Sequence, residues 1–283
     1  MSKITCEEPN YNFNKVDFQC DSTLGDHIKE PFPNKSFFMT ICGKPGSGKT
    51  SLLINMLTAS GPNRVYRKVF DKIILVMPKN SRESLKNNPF DDLPGDQLYQ
   101  NFSTDVVDKI YETKAEFDEE KTEAKANNKQ YKQKNQLLIL DDVTAYLKDD
   151  PRSLIELATN RRHLKLSIIL LVQFIKSIPL SIRLQVTNVA FFKPSNELDT
   201  KILHEEYMNL SKSNFDELKR VVWKTQHDFI MIDKNNDTYY NNLAKINFNN
   251  KQIENNNISD NNIDININAQ KVKRKKTKKN KKG

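Results

Sequence analysis

The stretch ICGKPGSGKTSLL, Ile41 to Leu53, decides the fold. The chain has 283 residues but only 7 glycines, and Gly43, Gly46 and Gly48 fall within six positions of one another here. Gly43-Lys44-Pro45-Gly46-Ser47-Gly48-Lys49-Thr50 is a full match to G-x-x-x-x-G-K-[ST]. A loop that wraps a triphosphate must turn backbone N–H groups inward and keep side chains out of the way. That calls for glycine where φ is positive or the approach is close. After the loop, TSLLINMLTAS places Leu52, Leu53, Met56 and Leu57 on one helical face, and Ser60-Gly61-Pro62 stops the helix. A helix opening near Lys49 adds its positive dipole end to the phosphates. In this reading Gly43 to Ser51 bind the nucleotide, Lys49 reaches the β- and γ-phosphates, and the Thr50 hydroxyl coordinates Mg²⁺.

Outward from the loop, short buried runs alternate with longer polar stretches. SFFMTIC, KIILVM, QLLILD, SIILLV and VTNVAFF are β-branched or aromatic and too short for buried helices, so they read as central parallel strands of an α/β domain. The charged stretch between the second and third runs, residues 79–136, is expected to be an insertion forming a solvated helix or helical hairpin. LDTKILHEEYMNL and FDELKRVV have helical spacing, and DFIMID followed by TYYNNLAKI reads as a terminal hairpin. Three units result: an irregular lead-in at 1–35, a phosphate-loop domain at 36–246 and a tail at 247–283. Ten of the 22 residues from Asn247 to Asn268 are Asn, a composition that cannot bury a core and predicts a disordered tail.

The strand ends carry the remaining chemistry. QLLILDDV places Asp141 and Asp142 at the end of a buried strand, where Asp141 would hold Mg²⁺ through water and Asp142 would polarise an attacking water. Asp142 could instead cap the turn that follows. SIILLVQ ends in Gln173, either a sensor of the γ-phosphate or an amide satisfied at a strand end. Arg161, Arg162 and Arg183 are candidates for neutralising transition-state charge in trans, or else surface and ion-pairing residues.

Composition narrows the classes. Hydrophobic residues make up 37% and charged residues 29%, and no apolar run approaches membrane-spanning length. The opening MSKITCEEPN is polar and acidic, unlike a secretory signal, and Cys6, Cys20 and Cys42 form no C-x-x-C pair, so a soluble protein of a reducing compartment is expected. The four scattered histidines offer no metal-ligand spacing. The net charge of +9 lies wholly in KVKRKKTKKNKKG, whose nine Lys and Arg leave 36 basic residues balancing 36 acidic ones in Met1 to Gln270. A neutral body argues against a protein that binds nucleic acid through a folded face.

The order GKPGSGKTSLL, LLILDD, NRRHLKLSIILLVQ and IRLQVTNVAFFK resembles the poxvirus-type virion packaging ATPases of large DNA viruses, within the FtsK-HerA superfamily of DNA-translocating ATPases. The resemblance covers about Ser36 to Leu203. It implies a RecA-like P-loop core with a mostly parallel sheet flanked by helices, ATP and Mg²⁺ as cofactors, a homo-oligomeric ring, double-stranded DNA as substrate and a viral capsid or portal-like vertex as partner. Work at a virion assembly site follows. Lys49, Thr50, Asp141, Asp142 and Gln173 take the family's catalytic positions, and Arg162, eleven residues before Gln173, is the first finger candidate, with Arg183 second. The residues alone leave two rivals open. One is another P-loop enzyme such as a nucleoside kinase or a GTPase, although the one N-K-x-D, Asn14 to Asp17, precedes the phosphate loop and follows no predicted strand. The other is a non-catalytic nucleic-acid-binding protein acting through its basic tail.

Overall fold

The computed structural model describes residues 23–248, Asn87 excepted. The expected lead-in up to residue 22, with Cys6 and Cys20, and the expected disordered tail from residue 249 lie outside the described residues. In chain order the elements are β1 (Phe38–Cys42), α1 (Lys49–Thr58), β2 (Lys72–Val76), α2 (Lys79–Glu83), β3 (Leu98–Tyr99), α3 (Thr104–Ala126), β4 (Gln136–Asp141), α4 (Thr144–Asp149) and α5 (Arg152–Asn160). The second half adds β5 (Leu166–Val172), α6 (Leu180–Arg183), β6 (Asn188–Phe192), α7 (Glu197–Tyr207), α8 (Lys212–Val222), β7 (Phe229–Asp233), β8 (Thr238–Asn241) and β9 (Ala244–Lys245).

All strands join one sheet in the order β3-β2-β4-β5-β1-β6-β7-β8-β9. The pairs from β3 to β6 are parallel, and β6-β7, β7-β8 and β8-β9 are antiparallel. The five apolar runs are thus the central strands the sequence predicts, and the expected hairpin is β7-β8 with a short third strand. β1, β5 and β6 are buried along their whole length because helices cover both faces, which explains their near-continuous apolar composition.

Period-two alternation sorts each strand between two cores. Phe38, Ile74, Leu138, Ile168 and Leu170 face α3, α5, α7 and α8. Met39, Ile41, Leu75, Ile139 and Ile169 face α1, together with Tyr66 and Phe70. Leu24 and Ile28 also pack into this second core, so the segment before β1 covers its outer side.

The charged segment between β2 and β4 departs from expectation. It is no helical hairpin: β3 pairs in parallel with β2 at the sheet edge, and the single 23-residue helix α3 returns the chain to β4. Val106, Ile110, Thr113 and Phe117 form a buried stripe on α3, spaced at roughly one-turn intervals. Dense charge on the remaining faces hides this stripe from a compositional reading. The buried Gln136 amide locks the crossover, donating from Nε2 to the carbonyls of Ile110 at 3.2 Å and Leu164 at 2.9 Å.

Removing a core methylene cluster differs from trimming a solvated face. Ile110→Ala should destabilise the domain by about 2–5 kcal/mol, whereas Glu119→Ala should stay within about 0.5 kcal/mol of the parent. Chemical denaturation of both variants checks this, and a neutral Ile110→Ala would mean that α3 is a solvated appendage after all.

Candidate nucleotide site

The phosphate loop begins where the β1-β5 ladder ends. Gly43 N–H donates to the Val172 carbonyl at 3.1 Å, prolonging the parallel pairing by one residue. A Cβ on Gly43 would stand 2.6 Å from Ser47 Oγ and 2.7 Å from Phe192 Cβ, so no side chain fits there. Gly46 and Gly48 have φ of 74° and 109°, in the left-handed range that L-residues avoid. Gly48 is also the N-cap of α1 and supplies no side-chain cap, which leaves the first-turn N–H groups of α1 for an anion. Lys49 curls over the loop and donates from Nζ to the carbonyls of Gly43 at 2.6 Å and Lys44 at 3.2 Å. Burial lowers the pKa of this ammonium, and the nearby Asp141 opposes the shift.

Strand order supplies the rest of the site. β5 lies between β1 and β4, and the registers Cys42↔Val172 and Asp141↔Leu171 bring the three strand ends level. Asp141 points to the same face as Leu137 and Ile139, which is the face that α1 covers. A cleft of about 440 Å³ results, bordered by Gly46, Lys49, Thr50, Asp141, Asp142 and Gln173. The Asp141 carboxyl is pushed up to about 6, first by burial and then by Asp142, with Lys49 holding it back. Asp142 is exposed, with a left-handed φ of 58°. It does not cap α4, whose N-cap is Val143 without a side-chain hydrogen bond. Gln173 is exposed on the cleft wall, and its carbonyl faces the buried Cys42 thiol at 3.9 Å. Thr50 and Asp141 are hard oxygen donors lining one cleft, a set that fits Mg²⁺ once phosphate oxygens complete the shell.

The arginines lie apart from this cleft. Arg183 forms a bidentate pair with Glu206, from Nε and Nη2 at 2.8 Å each, and donates from Nη1 to the Ile178 carbonyl. Arg161 donates to the Ala158 carbonyl at 2.6 Å. Arg162 is exposed just before β5, at the opposite end of the strand from Gln173, a separation of about 20 Å at the usual rise per residue. It cannot reach the phosphate loop of its own chain.

Two features escape a reading of the sequence. His227, one of the scattered histidines, donates from Nδ1 to the Ser47 carbonyl at 3.0 Å and so braces the phosphate loop from the turn before β7. Its ring also lines a second cavity of about 510 Å³ with Ser47, Gly48, Ser51, Asn55 and Phe229, on the side of the loop away from Asp141. Asp199, 2% exposed in α7, accepts the Lys176 N–H at 3.0 Å and ties down the loop that follows Gln173. No local motif marks either residue, because each contact joins segments 23 or more positions apart.

The raised pKa of Asp141 makes a stability prediction with a definite sign. The folded chain holds this proton up to about pH 6 and the unfolded chain only to about pH 4, so the charged, half-buried carboxylate weakens the fold as pH rises through that window. Asp141→Asn should therefore stabilise the nucleotide-free protein at pH 7.5 by roughly 1–3 kcal/mol, and the gain should vanish near pH 4. Thermal melts of both chains at the two pH values measure it. Equal melting at pH 7.5 would count against a half-buried Asp141 carboxylate that its surroundings disfavour.

Comparison with known proteins completes the picture. No curated protein matches the chain significantly. Among solved structures, the genome packaging NTPase B204 of Sulfolobus turreted icosahedral virus 2, in complex with sulfate, is 14% identical over 72% of this chain and 94% of its own, with a TM-score of 0.50. B204, the DNA-packaging ATPase of Sulfolobus turreted icosahedral virus, is 17% identical over 72% and 95%, TM-score 0.46. The pCW3 conjugation coupling protein TcpA is 14% identical over 70% and 58%, also 0.46. The first of these likenesses shows the fold, that of a P-loop NTPase. The family model described as Poxvirus A32 protein matches residues 27–279, nearly the whole chain, and the chain accordingly belongs to this family of viral packaging ATPases.

Proposed function

We propose that the protein is an ATP-driven translocase that moves double-stranded DNA into a preformed viral capsid, working as a homo-oligomeric ring at the capsid vertex of the assembly site. One observation carries the reading: phosphate loop, acidic pair and Gln173 border a single cleft because β5 separates β4 from β1. A switch or a simple binder needs the loop alone, whereas hydrolysis also needs groups that act on water beside the γ-phosphate.

In the proposed cycle the N–H groups of Gly46 to Thr50 cradle the phosphates, and Lys49 leaves the carbonyls of Gly43 and Lys44 for the β- and γ-phosphate oxygens. Ser51 lies beside the α-phosphate. Thr50 and Asp141 hold Mg²⁺, which when bound neutralises charge on the phosphoryl oxygens. Asp142 accepts a hydrogen bond from the attacking water and draws on its proton as the oxygen attacks the γ-phosphorus and ADP departs. Gln173 orients that water and reports the γ-phosphate to the loop that Asp199 anchors. Arg162 serves a neighbouring subunit, because β5 holds it about 20 Å from its own loop. Arg183, already forked onto Glu206, fits a part in positioning α6 against α7 better than a finger that must move.

ATP turnover with and without long duplex DNA, on protein whose assembly state is measured by light scattering, tests the proposal directly. Two sets of variants examine its parts. Lys49→Ala should lose both nucleotide binding and turnover, whereas Asp142→Asn should bind ATP normally and turn over about a hundredfold more slowly or worse, the usual weight of a general base. Parental turnover in Asp142→Asn would remove Asp142 from its role. Arg162→Ala and Lys49→Ala subunits, each inactive alone, should regain part of the activity when mixed, since some interfaces then join an intact arginine to an intact loop. Mixed rings of verified composition that stay inactive would exclude Arg162 as a finger in trans.

A further inference from the structure

The body of the chain has no net charge, yet the fold does not spread its charges evenly. In a parallel sheet, every loop that enters a strand emerges on the edge opposite the nucleotide cleft. Backbone hydrogen bonds join these loops side by side: Asp71 N–H to the Asn135 carbonyl at 2.8 Å, Gln136 to Lys165 at 2.9 Å, Ile168 to Phe37 at 2.9 Å, and Lys234 to Thr187 at 2.9 Å. Residues 34–37, 64–71, 127–135, 161–165, 184–187 and 234–237 make up this edge, and they carry eleven Lys and Arg against two acids, Asp71 and Asp237. The compensating acid sits on helices, above all on α3, with eight acidic and four basic residues.

Not all eleven cations are available. Glu120 of α3 answers Lys134, and Arg161 is bound to a carbonyl; Lys72 of β2, next to this edge, is answered by Glu116. Lys35, Arg67, Lys68, Lys129 and Lys132 are exposed and enter no ion pair among the described residues. Of the neighbouring acids, Asp71 accepts the Asn135 N–H at 2.9 Å, and Glu120 of α3, along which the loop carrying Lys129 and Lys132 folds back, is taken by Lys134. These five side chains flank β2, β4 and β1, which with β5 span three strand spacings, or about 14 Å.

We propose that this strand-entry edge of the sheet, carried by Lys35, Arg67, Lys68, Lys129 and Lys132, is a binding face for the phosphate backbone of duplex DNA. The inference rests on the reading of the chain as a DNA motor and places the grip on the folded body. Duplex DNA carries about one charge per 1.7 Å of axis, so a 14 Å length offers about eight phosphates to the five cations. The face lacks the features of a single-strand site, which stacks bases on exposed rings. Phe37, Tyr66 and Phe70 are buried, and Tyr131, between Lys129 and Lys132, is half-buried with its hydroxyl donating to the Phe117 carbonyl at 3.1 Å. A neighbour's triphosphate would need one or two of these charges, which is the part assigned to Arg162 on the same edge.

The test uses the full chain, so that the basic tail contributes equally to every sample. Affinity for a 30-base-pair duplex is measured against salt for the parent, for Lys35→Gln/Arg67→Gln/Lys68→Gln and for Lys129→Gln/Lys132→Gln. Each neutralised contact should lower the slope of log affinity against log salt by about 0.9, so the variants should lose up to about 2.7 and about 1.8 respectively. Basal ATP turnover should stay parental, because no substituted residue borders the cleft, while stimulation by duplex should fall at least several-fold. Parental slopes in both variants would overturn the face alone. Loss of subunit assembly with the slope unchanged would overturn it too, by making this edge a subunit contact. A parent that neither binds duplex nor responds to it would overturn both the face and the motor reading.

Discussion

The parallel ladder between β1 and β5 governs the site. β5 is the longest strand of the sheet, with all seven residues buried, and it pairs with β1 on one side and β4 on the other. Its register sets Val172 against Cys42 and Leu171 against Asp141, so three chain segments leave the sheet at the same height. A slip of one residue in either ladder would turn Asp141 to the opposite face, away from Lys49, and would separate Gln173 from the loop. The apolar composition of β5 is therefore a condition of the chemistry: burial on both faces specifies the register, and the register specifies the cleft.

Electrostatics within the cleft set two opposite charges against burial. Lys49 is driven down by burial and Asp141 driven up, each restrained only in part by the other. Such a pair is costly to keep buried in the nucleotide-free chain, and bound phosphate with a divalent cation would relieve both shifts at once. The loop is held open for that ligand by its packing: Phe192 fills the space behind Gly43 and Gly48, and His227 holds the Ser47 carbonyl from outside. Stability is given up at the site and recovered in the two cores that flank the sheet.

The same sheet separates the two ends of the molecule. Strand-exit loops hold the phosphate loop, the acidic pair and Gln173, and strand-entry loops hold cations. Within this division Arg162 and Gln173, eleven residues apart in sequence, stand on opposite edges, joined by the rigid β5. Asp199 and the Arg183–Glu206 pair fasten the segment between Gln173 and β6 to α7, so a displacement beside Gln173 has a stiff path to follow.

Much of this was legible in the sequence, because the signals were local. G-x-x-x-x-G-K-T between an apolar run and an amphipathic helix specified the loop, and each central strand announced itself by a short buried run with a polar residue at its end. The stripe of Ile110, Thr113 and Phe117 was present too, but the charges around it outweighed it in any average over the segment. What the sequence could not reveal depends on which strands become neighbours. Pairing of β6 with β7 brings His227 to Ser47 across 180 positions, and pairing of Asn188 to Phe192 with Phe229 to Asp233 is a long-range choice with no local code. The charge balance taught the same lesson. Summed along the chain the body is neutral, and that sum argued against a basic face. Topology decided otherwise, since strand entry gathers scattered Lys and Arg on one edge, where the acids of α3 meet only some of them, and only the folded chain gives charge a direction.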